Sequence, residues 1–265
     1  MPAQSYTRIT NPGRHRALLL AVPVLLVAIL FIDSEAVAAH FAHGRWLANI
    51  LTLGFFLWML RAASPRLRRL MLIGVGVATA GEVFFSLILG MYEYRLENIP
   101  LYVPPGHCIL YATIFLLGRD PWVIRNRQRI IAIGYAIAAA FSLAWLLAYQ
   151  DVFGFICFGV FSLLIYRRPD SRLFFVTMYL LVAYLELLGT FFQCWHWPPY
   201  LLHLWPNITS ANPPSGIAIF YMGFDIGCLG FYRLSKQGLR QRHKAIRKVR
   251  EMGTGTQPSY ACQTP

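Results

Sequence analysis

The sequence predicts an all-α integral membrane protein of about eight transmembrane helices, arranged as two parallel four-helix repeats with both termini cytoplasmic. Three observations predict it. The composition is too apolar for a water-soluble domain, apolar stretches recur at close to the length that crosses a bilayer, and basic residues are confined to alternate loops. Of the 265 residues, 57% are hydrophobic and 13% charged, whereas a soluble domain carries about a quarter charged residues.

The stretches, in order, are Ala17–Ile32, Trp46–Leu60, Leu70–Met91, His107–Gly118, Ile130–Tyr149, Val152–Tyr166, Leu173–Cys194 and Ser215–Tyr232. A helix needs roughly 20 residues to cross the hydrocarbon. His107–Gly118 and Val152–Tyr166 are short, so each either borrows flanking residues, such as Tyr102 and Val103, or lies inside the bundle away from lipid. The first span also has features of a cleaved signal peptide: a basic start, an apolar run and Ala36-Val37-Ala38. Its 16-residue length and its place in the repeat favour a retained helix.

A net charge of +13 would suggest a nucleic-acid partner for a soluble protein. Here 22 of the 24 basic residues fall in the loops on one side, and only Arg45 and Arg95 lie opposite. The positive-inside rule makes the basic side cytoplasmic, a bacterial inner membrane is expected, and nucleic-acid binding is unnecessary. The organisation is then a cytoplasmic segment (1–16), a first four-helix repeat (17–118), a basic loop (119–129), a second repeat (130–232) and a basic tail (233–265). Eight basic residues between Arg233 and Arg250 either meet anionic lipid headgroups or simply fix the last helix's orientation. Five cysteines without a CxxC pair indicate neither a disulfide framework nor a zinc ribbon. Cys108 and Cys194 are both expected near the outer side, with pairing left open.

The repeat is read from landmarks in one order. Glu82 lies mid-helix ten residues before Tyr92-Glu93-Tyr94, followed by Pro104-Pro105-Gly106-His107 and Tyr111. Glu186 lies mid-helix nine residues before Trp195-His196-Trp197, followed by Pro213-Pro214-Ser215-Gly216 and Tyr221. Four spans separate the copies, so both run in the same direction. Asp33 and Asp151 extend the correspondence weakly, and chance likeness between two apolar hairpins is the alternative.

Acids inside hydrocarbon are costly and default to functional candidates. Glu82 and Glu186 lie about twelve and thirteen residues beyond the cytoplasmic starts of their helices, at one depth by the 1.5 Å rise. Asp225 enters from the other side by about ten residues, and all three are expected to share a cavity. The bland alternative is that they hydrogen-bond neighbouring helices together. Tyr92, Tyr94, Trp195 and Trp197, with Tyr111 and Tyr221, are candidate pocket walls, where ring faces can stabilise developing positive charge. Interfacial belt anchoring explains any single ring equally well. His107, at a helix start, is placed to orient a carboxyl or a water. The outer histidines His40, His43, His196 and His203 show no HExxH or comparable ligand spacing, so no metal is assigned, and no cofactor is indicated.

No Walker loop, GxGxxG, GxSxG or DxxxD box occurs, and no lysine lies within a span. The stretch from Gly81-Glu82 through Tyr92-Glu93-Tyr94 to Ile99-Pro100-Leu101-Tyr102-Val103-Pro104 resembles membrane-embedded isoprenoid enzymes, the carotenoid hydratase and lycopene-cyclase-like proteins, over about 25 residues. That resemblance implies an intramembrane acid that protonates an alkene, with Glu82, Tyr92 and Tyr94 as acid and pocket rings. The chain departs from it where Pro104-Pro105-Gly106-His107 replaces the acids expected after the loop proline. The expectation is an enzyme (hydratase, cyclase or isomerase) acting on an isoprenoid or lipid substrate, with Glu82 and Glu186 exchanging protons. Asp225 would assist them. A proton-coupled small-solute transporter and a non-catalytic scaffold subunit are the alternatives.

Overall fold

The structure, a computed structural model, describes residues 12–234, and their side chains from 19 onward. The basic tail expected to meet headgroups therefore lies outside the described residues from 235. Ten helices make up the described chain: α1 (Pro12–Ile32), α2 (Glu35–Ala38), α3 (Gly44–Ala62), α4 (Pro65–Glu82), α5 (Val103–Leu117), α6 (Pro121–Arg125), α7 (Arg127–Tyr149), α8 (Val152–Arg167), α9 (Arg172–Phe191) and α10 (219–234). Helix α4 runs on without a break into a π-helical segment, Val83–Ile88.

Three helical runs, Pro65–Ile88, Arg127–Tyr149 and Pro169–Phe191, are long and apolar enough to cross a membrane, and Leu19–Ile32, Val103–Leu117 and Val152–Arg167 are shorter apolar helices. Large apolar side chains such as Leu20, Val24, Ile50, Ile133, Leu147 and Phe191 are exposed on the outside of the bundle. That arrangement suits hydrocarbon and is unfavourable in water.

Local chemistry explains where the helices start. Ser34, Ser64, Asp120 and Asp151 each accept a bond from a first-turn backbone N–H of the helix that follows, satisfying donors that have no intrahelical partner. Pro65 sits in the first turn of α4, so that helix begins earlier than the apolar run at Leu70 suggested. Likewise α5 starts at Val103 and takes Pro104 and Pro105 into its first turn, which lengthens the short fourth stretch. Helix α5 is also enclosed, with Cys108, Leu110, Tyr111, Ala112 and Ile114 buried, so it needs little lipid contact. The last stretch is corrected in the opposite sense: residues 215–218 form turns and regular helix begins at 219.

Helix α4 packs chiefly on α5, α7 packs on both α8 and α9, and α5 meets α9 and α1 at the centre. The outer connections are more than loops. Glu93–Tyr94 (β1) pairs antiparallel with Trp195–His196 (β2), and Tyr200–Leu201 (β3) pairs with Trp205–Thr209 (β4). Cys108 and Cys194 are buried and unpaired, their thiols donating to the carbonyls of Met71 and Leu30 respectively.

Candidate functional site

The site is built where α4 and α9 end. Gly90 (φ +60°) and Gln193 (φ +57°) both adopt left-handed backbone that turns the chain out of its helix two residues before a ring. The following segments meet as β1 and β2, with Tyr94 opposite Trp195 and Glu93 opposite His196. Alternate residues of a strand face opposite ways. Tyr92, Tyr94, Trp195 and Trp197 therefore point inward, while Glu93 and His196 pair outside at 3.4 Å.

The four rings hold the two glutamates. Tyr92 and Tyr94 donate their hydroxyls to Glu82 Oε2 at 2.8 and 2.7 Å. Trp195 and Trp197 donate their indole N–H groups to Glu186 Oε2 at 2.9 and 3.1 Å. Each aromatic-x-aromatic pair thus clamps one carboxyl oxygen, and the rings of the two clamps touch, Tyr92 with Trp197 at 4.7 Å. The spacing differs by one residue, ten against nine, and the π-helical segment Val83–Ile88 absorbs the difference, because i→i+5 bonding accommodates one extra residue. Gly189 allows the indole of Trp195 to lie against α9, since any Cβ there would overlap the ring. Burial, and next the Glu82 carboxylate, hold the Tyr92 and Tyr94 phenols well above their usual range, so both stay donors.

Both carboxyls line a single cavity of about 550 Å³, within the size range of small-molecule sites. Most of its remaining wall is apolar side chains of α1, α4, α5, α9 and α10, and Thr52 of α3 and Tyr102 also line it. His107 and Tyr221 also line it, stacked at 4.7 Å with their planes 3° apart. The His107 Nδ1 lies 3.0 Å from the Val103 carbonyl, which can only accept, so Nδ1 carries the hydrogen and Nε2 faces Glu82 Oε1 at 3.4 Å. Glu186 Oε1 and the Tyr221 hydroxyl form no hydrogen bond among the described residues, which leaves both for a ligand.

Asp225 and Tyr111 are the exceptions to the expected common cavity. They interact with each other and do not line it, and Arg168 and Arg66, from the end of the bundle away from the strands, are the charges they feel. Asp225 enters from the outer end of α10 but faces away from the glutamates. Helix rotation, invisible in a run of apolar residues, decides that.

Two fully buried aspartates organise the outer end. Asp33 accepts from Arg45 Nε at 3.0 Å, Arg95 Nη2 at 2.8 Å and the Tyr102 hydroxyl at 2.9 Å. Asp151 accepts from the backbone N–H groups of Gly154, Ala211 and Ser215 at 3.1, 3.1 and 2.7 Å. Two asparagines act alike: Asn49 accepts from the Tyr102 N–H and Asn212 from the Trp197 N–H, each steadying a segment that carries a ring. Sequence reasoning passed over this set, although Arg45 and Arg95, the two basic residues on the outer side, were a signal that an acid must meet them there.

His40, His43, His196 and His203 are exposed, and among the described residues no three His, Cys, Asp or Glu side chains converge as a metal site. No family model, curated protein or solved structure matches the chain.

Proposed function

We propose that the chain is a multi-pass membrane enzyme that moves protons between Glu82, Glu186 and a hydrophobic substrate of isoprenoid or lipid type. The observation that carries this reading is the pair of carboxyls, each clamped by two ring donors, facing one apolar cavity of about 550 Å³. In an apolar chamber, a positioned carboxylic acid can protonate a weak base such as an alkene. The carboxyl O–H bond breaks, a C–H bond forms on one alkene carbon, and its neighbour becomes cationic beside the rings. Loss of a proton from an adjacent carbon to the second carboxylate restores an alkene, giving isomerisation; attack of a second alkene of the same substrate on the cation, forming a C–C bond before that loss, gives cyclisation; and capture of water, whose extra proton passes to the second carboxylate, gives hydration. Glu186, with Oε1 free, is the donor, and the Glu82–His107 pair takes the proton up. Tyr221 orients the reacting end.

The same reading has eight spans in two parallel four-helix repeats, cytoplasmic termini and an inner-membrane location. Matching clamps and matching left-handed turns support the repeat, and the distribution of arginines supports the orientation.

The test is mass spectrometry and chromatography of lipids from the native host with its own gene carrying Glu82→Gln or Glu186→Gln at unchanged protein level. The expected result is one lipid species lost and its precursor accumulated in both variants. Identical extracts from wild type and both variants would overturn the enzyme reading and favour proton-coupled transport.

A further inference from the structure

We infer that the cavity opens sideways into the hydrocarbon through a window between α4 and α10, and that its ligand is a long-chain lipid. Its head reaches the glutamates while its tail stays in the bilayer. This rests on the membrane reading above, but not on catalysis. Of all the residues lining the cavity, only Ala80 on α4 and Gly223 on α10 are themselves exposed. The two helices run antiparallel here and meet above and below the exposed pair; lower down, a Cβ on Gly74 would lie 3.1 Å from the Phe224 ring and 3.7 Å from Cys228 Sγ. Phe85 and Phe220 meet edge to face at 4.8 Å, and Val77 lies 3.4 Å from where a Cβ on Gly227 would sit. Between those contacts α4 advances eight residues and α10 seven, so the gap is about 10–12 Å tall at 1.5 Å per residue.

Small residues keep the gap open. Nothing lies within 4 Å of a Cβ built on Gly81 or Gly223. An alkyl chain is about 4–5 Å across, judged from the contact distance between apolar carbons, less than half the height of the gap. The flanking surface is apolar and exposed, with Leu72 and Phe84 on α4 and Ile226 on α10, so what meets the window is lipid tail. The window lies toward the outer end of α4, and in the proposed orientation it faces the leaflet away from the cytoplasm. Inside the cavity Glu186 Oε1 and the Tyr221 hydroxyl have no hydrogen-bond partner among the described residues, which suits a polar or unsaturated head and an apolar tail.

The test uses purified full-length protein in vesicles of phosphatidylcholine, with a fraction of the lipid carrying a photoactivated diazirine on its acyl chain. After irradiation, labelled peptides are identified by mass spectrometry. Label on the cavity peptides holding Glu82, Glu186 or Tyr221 is expected, reduced at least fivefold by Gly223→Trp and by Gly81→Trp. Label on the outward face of α7 at Ile133 and Ile137 should be unchanged, which reports that each variant is folded. Label confined to outward faces, or cavity label indifferent to both tryptophans, would overturn the window. Cavity label that both tryptophans abolish, together with an unaltered host lipid profile for Glu186→Gln, would keep the window and sink the enzyme.

Discussion

Replacing Asp151 by Asn removes little volume and one charge, yet it should cost more than most single substitutions. The carboxylate is fully buried and serves three backbone donors, with Oδ1 taking Gly154 and Ala211 and Oδ2 taking Ser215 at 2.7 Å. An Asn side chain keeps one acceptor oxygen. If that oxygen stays with Gly154 and Ala211, the NH2 group faces the Ser215 N–H, one bond is lost and two donors oppose each other. An orphaned buried donor costs about 1–3 kcal/mol, and because the lost acceptor was charged and two donors now oppose each other the upper part of that range applies, so a loss of roughly 2–3 kcal/mol follows. Alanine would orphan all three donors, at about 3–9 kcal/mol, comparable with the whole stability of many domains, and is less informative because a loss of that size leaves too little folded protein to measure. The assay is thermal unfolding of the purified protein in one detergent, alongside Asp170→Asn, whose side chain is exposed. At roughly 2–4 °C per kcal/mol the Asp151 variant should melt several degrees below wild type while the control does not move. Melting of Asp151→Asn within about a degree of wild type would refute the three-donor anchor and its role in fixing the start of α10.

Two further outcomes follow from the same geometry. Gly189→Ala places a methyl group inside the Trp195 ring, so the indole must move off Glu186; the expected cost is about 1–3 kcal/mol with a shifted tryptophan emission. Gly230→Ala, with open space around it, should show neither change, and wild-type emission from Gly189→Ala would contradict the clamp. On alkaline titration Tyr92 and Tyr94 should stay protonated in the folded protein when exposed tyrosines have ionised, near pH 10. Because their folded values are raised, that stabilising contribution is complete below about pH 10 and is lost as pH rises toward the folded value. Tyrosinate absorbance that reaches its full amplitude before the protein unfolds would show that the clamp is wrong.

Much of the architecture was legible along the chain because lipid imposes a one-dimensional rule: each apolar run of sufficient length becomes a helix, and its flanking charge sets direction. The acids were legible for the same reason, since Glu82 and Glu186 stand out in runs where carboxyls are costly. The aromatic-x-aromatic pairs were legible by their spacing from those acids, and the one-residue mismatch that weakened the comparison turns out to be housed in a π-helical segment. Helix starts were misjudged wherever a cap or a proline, rather than hydropathy, set them, as at Ser64-Pro65 and Pro104-Pro105.

What the sequence alone determined, then, is which residues must be helical and which polar groups need a partner, because both follow from the free energy of placing single groups in hydrocarbon. Which partner each group finds was decided only by tertiary structure. Trp195 and Trp197 reach Glu186 because β2 pairs with β1, and Asp225 turns to Tyr111 instead of the cavity because of how α10 is rotated. Arg45 and Arg95 converge on Asp33 from positions 12 and 62 residues away. Rotation and long-range pairing depend on the simultaneous packing of several helices, and no local run of residues encodes them.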